Sequence, residues 1–261
     1  MVTTLEDRRV ADALDRLYGE ASEQTTLLNR VGVAAVTTSR QAAQRVAILR
    51  QRLRERRARI GSRRPLLPRN ATSQERADAL SSFSAPVTPE AGRLLYALVR
   101  ATRPNTVIEF GMSYGISTIH LASAVRDNGR GHIYTTELST AKVSAAKSTF
   151  TEIRLDDLIT VLDGDALTTL ANVDSSVDFV LLDGWKELYL PVLRLLEPHL
   201  LPGSLIVADN TDMADIAPYL DYVRNADNGY VSVNFLVGDS DGMEISCRAT
   251  PIGPAGGQSG R

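Results

Sequence analysis

From residue 87 onward, short apolar runs alternate with stretches of helical periodicity, and this alternation constrains the fold more than any other feature. The expected strands are 106–110, 132–136, 158–162, 177–182, 205–208, 230–236 and 243–248, with helical stretches separating the first five and a helix at 89–101 before them. Strands joined through helices must run parallel, because such a crossover returns the chain to the same edge of the sheet. The last two strands are separated only by residues 237–242, rich in Gly and Asp, too short for a crossover. They are expected to form an antiparallel hairpin at one edge. The fold class is therefore α/β, a doubly wound, Rossmann-like, seven-stranded and mostly parallel sheet with a C-terminal hairpin.

The first 86 residues read differently. Apolar positions Val10, Ala13, Leu14, Leu17 and Tyr18 recur at spacings of three and four, which predicts an amphipathic helix over about 7–36. A second helix is expected over 39–60, ended by Gly61, Pro65 and Pro68, with one short helix near 74–82 in the linker that follows. The reading is a helical N-terminal extension and linker (1–86), a catalytic-type domain (87–250) and a disordered Gly/Pro-rich tail (251–261). The extension would cover one face of the core or pair two copies, consistent with a homodimer. Between Arg40 and Arg69 the chain carries eleven arginines, no lysine and one acid, Glu55. Such a run is most simply a solvated or partner-facing helix, with a nucleic-acid contact as the alternative.

With 43% hydrophobic and 23% charged residues the chain belongs with folded globular proteins rather than disordered ones. The single cysteine, Cys247, can form no internal disulfide and no thiolate metal site, which favours a reducing compartment. No signal core follows residues 1–9, and no apolar run approaches the roughly 20 residues that span a bilayer. The expectation is a cytoplasmic protein without a membrane segment.

Candidate chemistry gathers at the carboxyl ends of the strands, where open α/β sheets bind ligands. The first strand and its turn read VIEFGMSYGIST, with Glu109 near the strand's end and Gly111 and Gly115 before a helix. That G-x-x-x-G spacing differs from the dinucleotide pattern and suits a nucleoside site better than a pyrophosphate cradle. Glu137, in IYTTEL, stands where an acid can accept both ribose hydroxyls, and Asp165 and Ala166, in LDGDAL, stand where an adenine edge could be read. Helix capping is the plain alternative for each acid. The fourth strand ends in FVLLDGWK and the fifth in LIVADN, so Asp183, Asp209 and Asn210 would converge if the two strands are neighbours, about 4.8 Å apart. Two carboxylates and an amide suit a hard cation such as Mg²⁺.

The order LLDGWKELYLP, LIVADN, DGMEISCR resembles the catechol O-methyltransferase-like group of S-adenosylmethionine (SAM)-dependent methyltransferases, O-methyltransferase family 3, over residues 87–248. The resemblance implies SAM as cofactor, with Glu109 and Glu137 binding its amino-acid and ribose parts and Gly111 and Ser117 lining the amino-acid end. It implies a divalent cation on Asp183, Asp209 and Asn210, a catalytic lysine at Lys186, and at Glu244 an acid that hydrogen-bonds the hydroxyl left unmethylated. Trp185 would pack on the adenine, whereas Gly184 replaces a histidine of the animal catechol enzymes. The implied reaction is methylation of one hydroxyl of a vicinal diphenol. Two other readings stay open: a tRNA hydroxyuridine methyltransferase using the arginine run on phosphates, and a non-catalytic nucleoside-binding assembly protein.

Overall fold

The structure, a computed structural model, describes residues 2–30, 72–237 and 242–249, with side chains at 25–30 left aside. The expected helix at 39–60, the arginine run and the tail lie outside the described residues.

Seven strands form one sheet in the order β3-β2-β1-β4-β5-β7-β6. They are β1 (Thr106–Phe110), β2 (His132–Glu137), β3 (Ile159–Asp163), β4 (Val177–Leu182), β5 (Leu200–Ala208), β6 (Tyr230–Leu236) and β7 (Gly242–Arg248). The first five are parallel, while β7 runs antiparallel to both β5 and β6. All five residues of β1 are buried, as a central strand covered on both faces requires. The hairpin has its expected place at one edge, but its second strand is the inner one. β5 starts five residues earlier than the expected 205–208, with Pro202 and Gly203 in an irregularity between the Val177–Leu200 and Phe179–Leu205 pairs. Ser204 closes that irregularity, its hydroxyl accepting from Leu201 N at 2.9 Å and donating to Val177 O at 2.7 Å.

The helices are α1 (Arg8–Arg30), α2 (Ser73–Ala79), α3 (Pro89–Thr102), α4 (Ile116–Asn128), α5 (Thr140–Glu152), α6 (Ala166–Thr169), α7 (Tyr189–Leu196) and α8 (Ala217–Arg224). One apolar cluster joins α1, α3, α4 and α5 to one sheet face through Leu14, Leu17, Leu95, Ile119, Phe150, Val107 and Leu181. The other joins α7 and α8 to the opposite face through Ile108, Val180, Tyr189, Leu193, Tyr219 and Val223. The amphipathic stripe of α1 is thus spent on the sheet domain itself, each buried leucine contributing about 2 kcal/mol. Polar contacts set its register: the Thr4 hydroxyl donates to Asp127 at 2.5 Å, Tyr96 donates to the same carboxylate at 2.6 Å, and Arg16 pairs with Glu152 at 2.9 Å.

Candidate active site

A cavity of about 330 Å³ opens beyond the carboxyl ends of the strands. Its floor is built by the turns after β1, β2, β3 and β4, and its roof by α2 and the loop behind it. Of the residues expected at a cofactor site, Gly111, Glu137, Asp165, Ala166, Asp183 and Trp185 line it; Lys186 and Asn210 line it as well.

Gly111 has φ +104, and a Cβ there would lie 2.6 Å from Gly184 N and 2.7 Å from the Asp183 carbonyl, so no other residue fits where the first and fourth turns meet. At Gly184 a Cβ would strike the Phe110 ring at 2.5 Å. That is a physical reason for the missing histidine: the bulk stands on β1 instead. Glu137 accepts from Ser113 N at 2.9 Å through one oxygen and from Leu138 N and Ser139 N at 2.9 and 2.8 Å through the other, which aims the carboxylate along the cavity wall. Asp165 does cap α6, accepting from Thr168 N at 3.1 Å, while also lining the cavity.

Three of the residues expected to bind the cofactor stand elsewhere than at the cavity wall. Gly115 caps α4 in the left-handed conformation, and a Cβ would meet Phe150 at 2.6 Å, so its constraint is packing. Ser117 faces a smaller recess with Val87, Met112, Gly111 and Asp183. Glu109 lies wholly buried beneath the turn, accepting from the Thr118 and Thr135 hydroxyls at 2.5 Å each, while its Oε1 has no partner. Burial pushes its carboxyl above the ordinary range, against the pull of the nearby Ser117, Thr118 and Thr135 hydroxyls.

The metal trio was expected from the ends of neighbouring strands. β4 and β5 are indeed paired, Leu182 opposite Ala208, and the ladder continues with Asp183 N donating to Phe110 O at 2.8 Å and Asp209 N to Leu182 O at 3.0 Å. Asp183 and Asn210 reach the cavity, Asn210 from a left-handed backbone at φ +59, while Asp209 stands buried behind them. The 3-10 turns that follow, Lys186–Leu188 and Ala214–Ile216, have Trp185 and Met213 at their N-cap positions, so neither aspartate is the N-cap residue. The Asp183 carboxyl is pushed up to about 8 by burial, with Asp209 and Glu109 adding to the rise and Lys186 opposing it. A carboxylate whose ionisation the buried Asp209 opposes, with an amide side chain on the same cavity wall, is donor chemistry that a hard divalent cation fits. Among the described residues no group of three or more His, Cys, Asp or Glu could hold a metal; the trio differs in that its third donor is Asn210.

Lys186 opens a 3-10 turn, Lys186–Leu188, with Nζ 3.5 Å from Asp183 Oδ1 and 2.5 Å from Tyr189 Oη. Glu244 departs from its expected role. It lies on β7 opposite Ala208, fully buried, and both of its oxygens accept from Arg224 at 2.8 and 2.6 Å. It lines neither the cavity nor the recess. The arginine that captures it stands twenty positions away on α8, and no local pattern announced the pair.

Sequence reasoning also missed the roof. Ser73, Ala77, Leu80, Phe83 and Ala85 line the cavity from a segment read as linker. Gln74 Nε2 donates to Leu138 O at 2.7 Å, Tyr114 Oη donates to Ser81 O at 2.6 Å, and Ser84 N donates to Gln24 at 3.1 Å. Lys142 lines the wall beside Glu137, its Nζ 5.6 Å from the Tyr114 ring centre, and burial draws its ammonium below the usual lysine range. Only the exposed apolar pair Leu80 and Phe83 offered a signal, since linkers rarely spend such residues on solvent.

A mostly parallel sheet whose fifth strand pairs with a reversed one, acids at successive strand ends and a cavity beyond them make a Rossmann-like fold with a candidate ligand site where such sheets bind ligands. Residues 108–211 match the family model described as "Methyltransferase domain". A probable O-methyltransferase of Mycobacterium tuberculosis is 34% identical over 149 residues, covering 53% of this chain and 63% of that protein. The catechol O-methyltransferase of Sus scrofa is 26% identical over 178 residues, covering 63% of this chain and 93% of that protein. The chain spans 63% of the mycobacterial protein and only 55% and 53% of the catechol O-methyltransferases of Danio rerio and Mus musculus. Among solved structures, the O-methyltransferase from Bacillus cereus in complex with SAH has TM-score 0.56 at 22% identity, covering 70% of this chain and 93% of that one. TomG from Streptomyces achromogenes, in complex with SAM, has TM-score 0.57 at 21% identity, covering 71% and 93%. The chain thus resembles O-methyltransferases in sequence, catechol O-methyltransferases among them, and shares their fold. Among the described residues no helix is long and apolar enough to cross a membrane.

Proposed function

We propose that this chain is a SAM-dependent O-methyltransferase that methylates one of two adjacent hydroxyls on a small phenolic molecule with the help of a divalent cation. The observation that carries the reading is the grouping of Asp183, Lys186 and Asn210 on the wall of the cavity that Gly111 and Glu137 also line. The family-model match and the curated relatives named O-methyltransferase support it.

Glu137 would accept the ribose hydroxyls, Trp185 and Ala166 would flank the adenine, and Ser117 would meet the amino-acid end, with the Glu109 carboxyl buried beneath the turn that holds it. When bound, SAM supplies a methyl already activated on a sulfonium, whose C–S electron pair returns to sulfur as the acceptor oxygen takes the methyl. Asp183, Asp209 and Asn210 would hold a cation such as Mg²⁺, which lowers the pKa of a chelated hydroxyl and fixes its direction. Lys186 Nζ would take the hydroxyl proton. The α2 roof, with Leu80 and Phe83, would exclude water from the transfer.

The test is transfer of a labelled methyl from SAM to a panel of vicinal diphenols, with and without chelator. Turnover that chelator abolishes and Mg²⁺ restores is expected. Full turnover in excess chelator would overturn the cation, and methylation of hydroxyuridine tRNA in preference to every diphenol would overturn the substrate class.

A further inference from the structure

Lys186 and Tyr189 are three residues apart, at the start of a 3-10 turn and at the first residue of the helix it runs into. That spacing lays the lysine over the tyrosine: Nζ donates to Tyr189 Oη at 2.5 Å and lies 4.8 Å from the ring centre. Oη in turn donates to the main-chain carbonyl of Asp209 at 3.3 Å. The Asp183 carboxylate is the more distant partner of Nζ, at 3.5 Å. The phenol cannot swing away, because Tyr189 is fully buried with its ring edge-on to Phe110, centroids 6.2 Å apart, and to Tyr219, 5.8 Å apart.

A lysine amine is a compact group on a flexible four-carbon stem, and a base that must meet one particular hydroxyl loses rate in every other direction that it samples. With Asp183 as its only partner, Nζ would settle against the carboxylate. We propose that Tyr189 is the positioning residue for Lys186: its hydroxyl holds Nζ at the cavity wall and, by donating to Asp209, ties the loop after β4 to the loop after β5. The inference rests on reading Lys186 as the base.

Tyr189→Phe keeps the ring packing and removes only Oη. The expected result is a kcat about tenfold lower, with KM for SAM and the SAM-induced change in Trp185 fluorescence unaltered, which a general loss of structure would not give. In a Lys186→Ala background the same substitution should cost nothing further, because the group that it positions is gone. Wild-type kcat in Tyr189→Phe, or a full multiplicative loss in the double variant, would overturn the proposal. Lys186→Ala at wild-type turnover would instead remove the base assignment, and this inference with it.

Discussion

Two pairs of buried carboxylates in this molecule are treated in opposite ways. Beside the hairpin, Glu244 gives both oxygens to Arg224, and Glu197 accepts from Tyr222 and Tyr230 at 2.9 and 2.7 Å with Arg248 alongside at 4.0 Å. At the cavity, Glu109 keeps one oxygen without a partner beneath the turn, and Asp183 on the wall has Lys186 Nζ at 3.5 Å. A buried carboxylate without full compensation costs stability, so a fold tolerates it where something else completes it. The pair bound closely by arginine and tyrosine reads as scaffold and the pair with an unpartnered oxygen and one long contact as site, a distinction that residue type and burial alone do not make.

The sharpest way to break this contrast is Lys186→Ala, which should lower kcat by about a hundredfold or more while SAM still alters Trp185 fluorescence. Unchanged turnover would place Lys186 with the scaffold. Arg224→Leu addresses the other pair. It leaves Glu244 buried without its cation and should destabilise the fold by about 2 kcal/mol, less than for a fully enclosed pair because the arginine side chain is 48% exposed. In denaturant unfolding the midpoint should drop while kcat of the folded fraction holds; a selective loss of kcat would return Glu244 to the site.

Glu109→Gln should do the reverse. Loss of the buried acid that supports the turn at the amino-acid end predicts SAM binding weaker by about tenfold in a calorimetric titration. Because burial raises the Glu109 carboxyl, its contribution to stability is present below the ordinary glutamate range and is lost as pH rises through the raised value. The amide removes that loss, so melting at neutral pH should hold or improve; a large drop would class Glu109 as scaffold.

The smallest effect concerns α1. His120 sits in α4 with Tyr18 of α1 3.4 Å away and no room at Gly92, and burial lowers its pKa from 6.5 to about 4. The folded protein keeps it neutral where the unfolded chain takes a proton. Stability is therefore full above pH 6.5 and falls as pH drops toward 4, by about 1 kcal/mol over the first pH unit. Melting curves at pH 6.5 and 5.5 should show the fall in wild type and a flatter response in His120→Asn.

Much of the site was legible because its signals are local. Asp183 and Lys186 lie three positions apart in one short motif, and strand-end acids follow apolar runs that any central parallel strand must carry. What stayed hidden was non-local. The gap of 64 positions between Gln74 and Leu138 gave no hint that a linker would roof the cavity, and Glu244 looked available until α8 brought Arg224 to it. The position of Glu109 near the end of β1 was legible, but its place beneath the turn depends on Thr118 and Thr135 from two other elements.

The order of apolar and helical periods was enough to determine a parallel sheet with an antiparallel edge, because backbone hydrogen bonding allows few other uses for such a pattern. It also determined which acids would stand at strand ends. Which of those acids would be satisfied by arginine and which left short of partners was decided only in three dimensions, since that depends on side chains distant in sequence competing for the same buried oxygen atoms.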